Sequence, residues 1–135
     1  MAKINRFEDL QIWQLSREIS QYVEYLIQTT QLKTNYALRD QIDRSSGSIM
    51  DNIAEGFERN GNREFIQFLS ISKGSCGEVK SQSYRAFDKK LISEEQHFKL
   101  NEMAELEKNK IGSMINYLRN SEIKGLKYKP ADDKQ

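Results

Sequence analysis

One histidine, one cysteine and a line of basic side chains are the residues through which this 135-residue chain could do chemistry. His97 follows Glu94 by three positions, the carboxylate–histidine spacing found in di-iron helical bundles. Such a centre needs two of these motifs and two further inward glutamates. The sequence holds one motif, and "SEEQ" at 93–96 reads as a capping box that already accounts for its acids. No metal site and no cofactor are therefore expected. Asp51 and Glu55, four apart, would repel each other on a helix face. With no nucleophile, histidine or further acid beside them, a structural role fits them better than acid–base catalysis. Cys76, between Ser72 and Val79 on an apolar stripe, reads as a small core residue rather than a nucleophile. The glycines of "GNREF" and "SKGSCGE" lack both the strand–loop–helix setting and the Lys-Ser/Thr ending of a phosphate loop. No catalytic constellation is present, and the chain is expected not to be an enzyme.

The basic line is more open. Ile66, Lys73, Gly77, Lys80 and Tyr84 fall at intervals of 7, 4, 3 and 4, off the apolar stripe of their helix, with Arg63, Arg85 and Lys89 further round. Cations interleaved with an aromatic can contact phosphates and stack a base. The same line could serve as a contact between subunits or as a solvated face. Arg44 has two readings as well: a helical ion pair with Asp40 four residues earlier, or a reach to a neighbouring subunit. Trp13 lies about 100° from its helix's main stripe, with Leu10 and Ile27 on its side. A large aromatic there implies a second buried surface, assigned to association.

Four helices must position these groups. The only proline is Pro130, so residues 1–129 are free of that helix breaker. Apolar spacings of three and four persist, and strand alternation is absent. Ile12, Leu15, Ile19, Tyr22 and Leu26 form a first seam, with an N-cap expected near Asp9 and the polar run "QTTQLKTN" ending the helix. A second helix is expected from about Asn35 to Arg59, burying Leu38, Ile42, Ile49, Ile53 and Phe57. "NGN" at 60–62 supplies a turn. The third is expected from about Arg63 to Lys90, with Phe65, Phe68, Leu69, Ser72, Cys76, Val79, Ser83 and Ala86 inward. The fourth starts after Ser93, carries Phe98, Met103, Leu106, Met114, Ile115 and Leu118, and ends near Asn120. The domain is thus residues 1–120, and 121–135 form a flexible tail that holds Lys124, Lys127 and Lys129.

Two clusters of small residues, "SSGS" at 45–48 and "SKGSCG" at 72–77, interrupt the second and third helices. With Gly61 as the pivot of an antiparallel hairpin, position 46 lies opposite position 76. The clusters then share a level and let the backbones approach, at roughly 1 kcal/mol for each helical glycine relative to alanine. The other reading is a break in the third helix near Gly74–Gly77.

Composition agrees with an all-α, antiparallel up-down-up-down four-helix bundle. Hydrophobic residues make up 37% and charged residues 30%, as in long amphipathic helices and in chains that complete a core by association. Net charge is +1, so no global field draws the protein to nucleic acid or membrane. The second half is modestly basic, with 14 Lys/Arg against 11 Asp/Glu over residues 61–135. A lone cysteine suits a reducing cytosol. "MAKINRFEDLQIW" lacks a signal-peptide core, and no run reaches membrane length, so a cytoplasmic protein without membrane contact is expected.

"QIDRSSGSIMDNIAEGFER", "REFIQFLSISKGSCGEVKSQ" and the opening "FEDLQIWQLSREI" together resemble the four-helix bundle proteins encoded by 23S rRNA intervening sequences, over roughly residues 7–120. That resemblance implies a bundle assembled into a homo-oligomeric ring, typically a pentamer, in a bacterial family with no catalytic residues to carry over. A related member is the accessory protein of diversity-generating retroelements, a basic pentameric barrel that binds nucleic acid and a reverse transcriptase. In the family's motif Asn52 and Glu55 would hydrogen-bond near the turn between helices, with Glu55 in reach of Arg59.

The resulting expectation is a non-enzymatic oligomeric accessory protein that associates with RNA or DNA. Arg63, Lys73, Lys80, Arg85 and Lys89 are the nucleic-acid candidates, and Trp13, Arg44, Ile66 and Tyr84 the candidates for the oligomer interface. Its partners would be copies of itself, RNA or DNA, and a reverse transcriptase or other protein. The alternative is a protein-interaction scaffold without nucleic-acid affinity.

Overall fold

The computed structural model describes residues 4–123. These form four α-helices and no strand: α1, Gln11–Thr29; α2, Tyr36–Glu58; α3, Asn62–Asp88; and α4, Glu94–Ile123. Single 3-10 turns precede α1 (Phe7–Asp9) and α2 (Gln31–Thr34). α4 thus continues past the expected end at Asn120, and residues 124–135 of the expected tail, including Lys124, Lys127 and Lys129, lie outside the described residues.

Local chemistry sets most of the helix ends. Asn35 Oδ1 accepts from the Leu38 amide at 3.1 Å, capping α2. Gly61 takes φ +132°, open to glycine alone, and so turns the chain from α2 into α3. α3 closes in a Schellman motif: the Leu91 amide donates to Ala86 O and the Lys90 amide to Phe87 O, with Lys90 left-handed at φ 61°. The Ser93–Gln96 box opens α4 by reciprocal bonds of 3.1 and 2.9 Å. α1 departs from expectation. Asp9 closes the preceding turn, and Leu10 stands at the N-cap without a side-chain bond.

The interior follows the expected stripes on α2 and α3. Leu38, Ile42, Ile49, Ile53 and Phe57 are buried, as are Phe65, Leu69, Ser72, Cys76, Val79, Ser83 and Ala86, while Phe68 is half-buried. On α1 the inner line is Ile12, Ser16, Ile19, Val23 and Leu26; Leu15 and Tyr22 are half-buried at its margin. Ser16 can sit inside because its hydroxyl donates to Trp13 O at 2.6 Å. On α4 the expected stripe is rotated. Phe98 and Leu106 are 62% and 49% exposed, and the inner line is His97, Leu100, Ala104, Glu107, Ile111, Ile115 and Leu118.

α3 is continuous through Gly74 and Gly77, which excludes the break. The small clusters do lie at one level, but serines make the contact. Ser72 Oγ donates to Ile49 O at 2.8 Å, Ser75 Oγ to Ser48 Oγ at 3.0 Å, and Ser45 Oγ meets Glu78 Oε1 at 3.5 Å. A Cβ added at Gly47, Gly74 or Gly77 would meet nothing within 4 Å, so close approach does not require these glycines. Gly56, near the turn, is the one that does: its Cβ would lie 2.7 Å from Phe68 Cβ.

Candidate anion-binding groove

Of the titratable groups named from sequence, His97 and Cys76 are buried and Glu55 is paired, while Asp51 and Glu94 are exposed. His97 is buried between the rings of Tyr84 and Phe87, at 4.4 and 5.2 Å, and its Nδ1 lies 2.8 Å from Ser83 Oγ. Among the described residues no group of three or more His, Cys, Asp or Glu could hold a metal ion. Glu55 pairs with Arg59 at 2.8 Å, one turn on. Asn52 turns instead to Ser48, donating to its carbonyl and hydroxyl oxygens at 2.9 Å each. Burial pushes the Cys76 thiol up to about 12, with the nearby Glu107 carboxylate adding to the shift. At neutral pH that thiol carries almost no thiolate, which is the nucleophilic form.

Glu107 is a residue that sequence reasoning passed over. It is fully buried, and both carboxyl oxygens lack a hydrogen-bond partner among the described residues. Desolvation raises its pKa to about 8, against a smaller lowering by Lys110. The spacing held a signal: 100, 104, 107, 111 and 118 continue one helical line.

The five basic candidates do not share one surface. Lys80 forms an ion pair with Glu105 on α4. Glu105 is held below the usual carboxylate range first by Lys80 and then by Lys108, which sits 3.1 Å away. Arg85 Nη1 donates to Gln41 Oε1 on α2 at 2.7 Å. Arg63 stands exposed in the first turn of α3, and Lys89 is exposed at its C-cap. Lys73 alone faces an open groove between α3 and α4, of about 930 Å³.

There Lys73 meets two cations absent from the expected set, Lys108 and Arg119, with Asn109, Asn116 and Ser113 between them. None of the described residues lining the groove is acidic. Gly112 forms part of the floor, and the Lys73 ammonium lies 4.0 Å from where its Cβ would be. The ammonium is thereby stretched across α4 from α3. Lys108, Gly112 and Arg119, at steps of four and seven, share one side of α4, and that was the legible part of the pattern. Lys73, on another helix, could not be joined to it from spacing.

The expected interface residues are partly occupied within the chain. Trp13 is half-buried, edge-on to Phe7 at 5.2 Å, with the Arg17 guanidinium 5.9 Å from its ring centre. Its second surface is thus partly filled by the chain's own N-terminal turn. Ile66 is half-buried against the core, and Tyr84, 54% exposed, covers His97. Asp40 pairs with Arg39 at 3.0 Å rather than with Arg44. Arg44 is exposed at a smaller cleft shared with Ser45, Glu78 and Gln82.

The family model for 23S rRNA-intervening sequence protein matches residues 8–121. No curated protein sequence matches the chain. Among solved structures, a crystal structure of a protein of unknown function from the S23 ribosomal protein family of Bacteroides thetaiotaomicron superposes with a TM-score of 0.70. It is 21% identical and covers 77% of this chain and 97% of its own, a likeness of fold.

Proposed function

The chain belongs to the family of 23S rRNA-intervening sequence proteins, and from that premise we propose that it is a non-enzymatic accessory protein which associates with RNA or DNA as a ring of five copies. The subunit is an antiparallel up-down-up-down bundle. In support, Gln41, Ser45, Ser48 and Ile49 of α2 bond to Arg85, Glu78, Ser75 and Ser72 of α3, so that the partner number falls as the other rises. Assembly is supported by exposed Ile71, Phe98 and Leu106, large apolar side chains on the outer faces of α3 and α4. A further protein, such as a reverse transcriptase, would dock on the assembled ring. The lone buried thiol suits a reducing cytoplasm, and no described helix is long and apolar enough to cross a membrane.

The observation that carries the nucleic-acid reading is the convergence of Lys73, Lys108 and Arg119 in a groove with no acid among its described lining residues. At net charge +1 a single subunit binds a polyanion weakly. A ring repeats the groove, and avidity multiplies weak sites that one strand can span. Light scattering is expected to give five times the 15.8 kDa chain mass. Phe98→Glu is expected to reduce that mass, and is a cleaner probe than Trp13→Glu because Trp13 also packs within its own chain. A uniform 15.8 kDa species at high micromolar concentration would remove the ring. Single-stranded RNA is expected to bind with affinity that falls steeply as salt rises, because each neutralised phosphate releases counterions. No binding at about 50 mM salt would leave the protein-interaction scaffold, which the exposed apolar side chains favour.

A further inference from the structure

We propose that the groove between α3 and α4 seats a run of two or three linked phosphates; this rests on the nucleic-acid reading above, which supplies a sugar–phosphate backbone as their source. The geometry is linear. Lys73 reaches over Gly112, and along the α4 axis Gly112 lies about 6 Å from the level of Lys108 and about 10 Å from that of Arg119. A flexible chain with one charge per repeat meets all three cations, whereas a single compact anion meets one or two.

The chemistry of the walls agrees. Lys73 is exposed and pairs with no carboxylate among the described residues, nor does Arg119, whose planar fork matches phosphate oxygens. Lys108 shares Glu105 with Lys80, which pins it at the groove's edge. Asn109, Ser113 and Asn116 add neutral donors for the non-bridging oxygens. No aromatic ring is among the described residues lining the groove, so they offer bases no platform and meet the backbone instead.

The test titrates labelled oligouridylate against the full-length protein, with inorganic tripolyphosphate and poly-glutamate as parallel ligands. Lys73→Glu/Arg119→Glu is expected to weaken RNA binding at least about tenfold at low salt and to lower the slope of log affinity against log salt by about two. Lys33→Glu/Lys90→Glu makes the same change in net charge at two exposed sites elsewhere and is expected to leave affinity within about twofold. Light scattering on each variant establishes that assembly is retained. If the two double variants bind RNA alike, the groove is not the site, while the nucleic-acid reading stands. If RNA does not bind but tripolyphosphate moves the amide resonances of Gly74 and Gly112, the phosphate seat stands and its source is free polyphosphate. If poly-glutamate binds as tightly as RNA, the site belongs to acidic peptides and the proposal falls. If none of the three ligands binds, both readings fall.

Discussion

Replacing Glu107 with glutamine is expected to raise the melting temperature at pH 7 by several degrees and to flatten its dependence on pH. The carboxyl is fully buried without a hydrogen-bond partner among the described residues, so the bundle tolerates its neutral form far better than its charge. Burial raises its pKa in the folded protein from 4.5 to about 8. Between these values the folded state holds a proton that the unfolded chain releases. The stability associated with the protonated group is therefore complete below pH 4.5, declines as pH rises, and is gone once pH passes about 8. The slope is at most about 1.4 kcal/mol per pH unit, giving an expected loss of about 2–4 kcal/mol across the window.

The charged and titratable groups near Glu107 do not reverse that sign. Lys110 on its own helix lowers the pKa, but by less than burial raises it. Cys76 faces it from α3 and is neutral across the same range, its thiol pushed up to about 12. Thermal melts of the wild type and Glu107→Gln from pH 5 to pH 9 are the measurement. Glu107→Leu, which removes the polar atoms as well, is expected to be more stable than wild type at every pH in that range. Parallel curves for wild type and Glu107→Gln would mean that the carboxyl finds a partner or reaches solvent in solution.

Alanine at Gly56 and alanine at Gly74 are expected to change stability in opposite directions. At Gly56 a Cβ would lie 2.7 Å from Phe68 Cβ and 2.9 Å from Phe65 Cδ1. Phe68 Cβ is fixed to its backbone, so α2 and α3 must separate near the turn or the phenylalanines must repack. Overpacking of this kind costs about 1–3 kcal/mol, only partly offset by roughly 1 kcal/mol of helix propensity. At Gly74 and Gly77 a Cβ meets open space, and alanine gains up to about 1 kcal/mol each. Urea unfolding of the three single variants measures this. A destabilising Gly74→Ala or Gly77→Ala would show that another chain approaches the bare backbone there, and a fall in oligomer mass in the same variant would identify that chain as a second copy.

Local chemistry and periodicity were sufficient for the helices themselves. Asn35, the Ser93–Gln96 box and the "NGN" turn mark boundaries because each satisfies or redirects backbone groups within a few residues of its own position. The inner faces of α2 and α3 were legible because Leu38 to Phe57 and Phe65 to Ala86 keep one helical phase, with small residues rather than charges filling the gaps. The level at which the two small clusters meet followed from chain length on either side of Gly61. α4 resisted this reading because large apolar side chains lie on several of its sides, and the line that turns inward carries Ala104 and Glu107 while Phe98 and Leu106 face out. Which side wins depends on what α1 and α3 present to it, a property of the packed bundle. The groove is tertiary for the same reason. Lys80 and Lys73 share one side of α3, yet Glu105 of α4 takes the first, while Gly112 and Arg119 leave the second facing an open channel with no acid among its described lining residues. Spacing along one helix specifies a face; only the neighbouring helix decides whether a charge on that face is neutralised or left to bind something else.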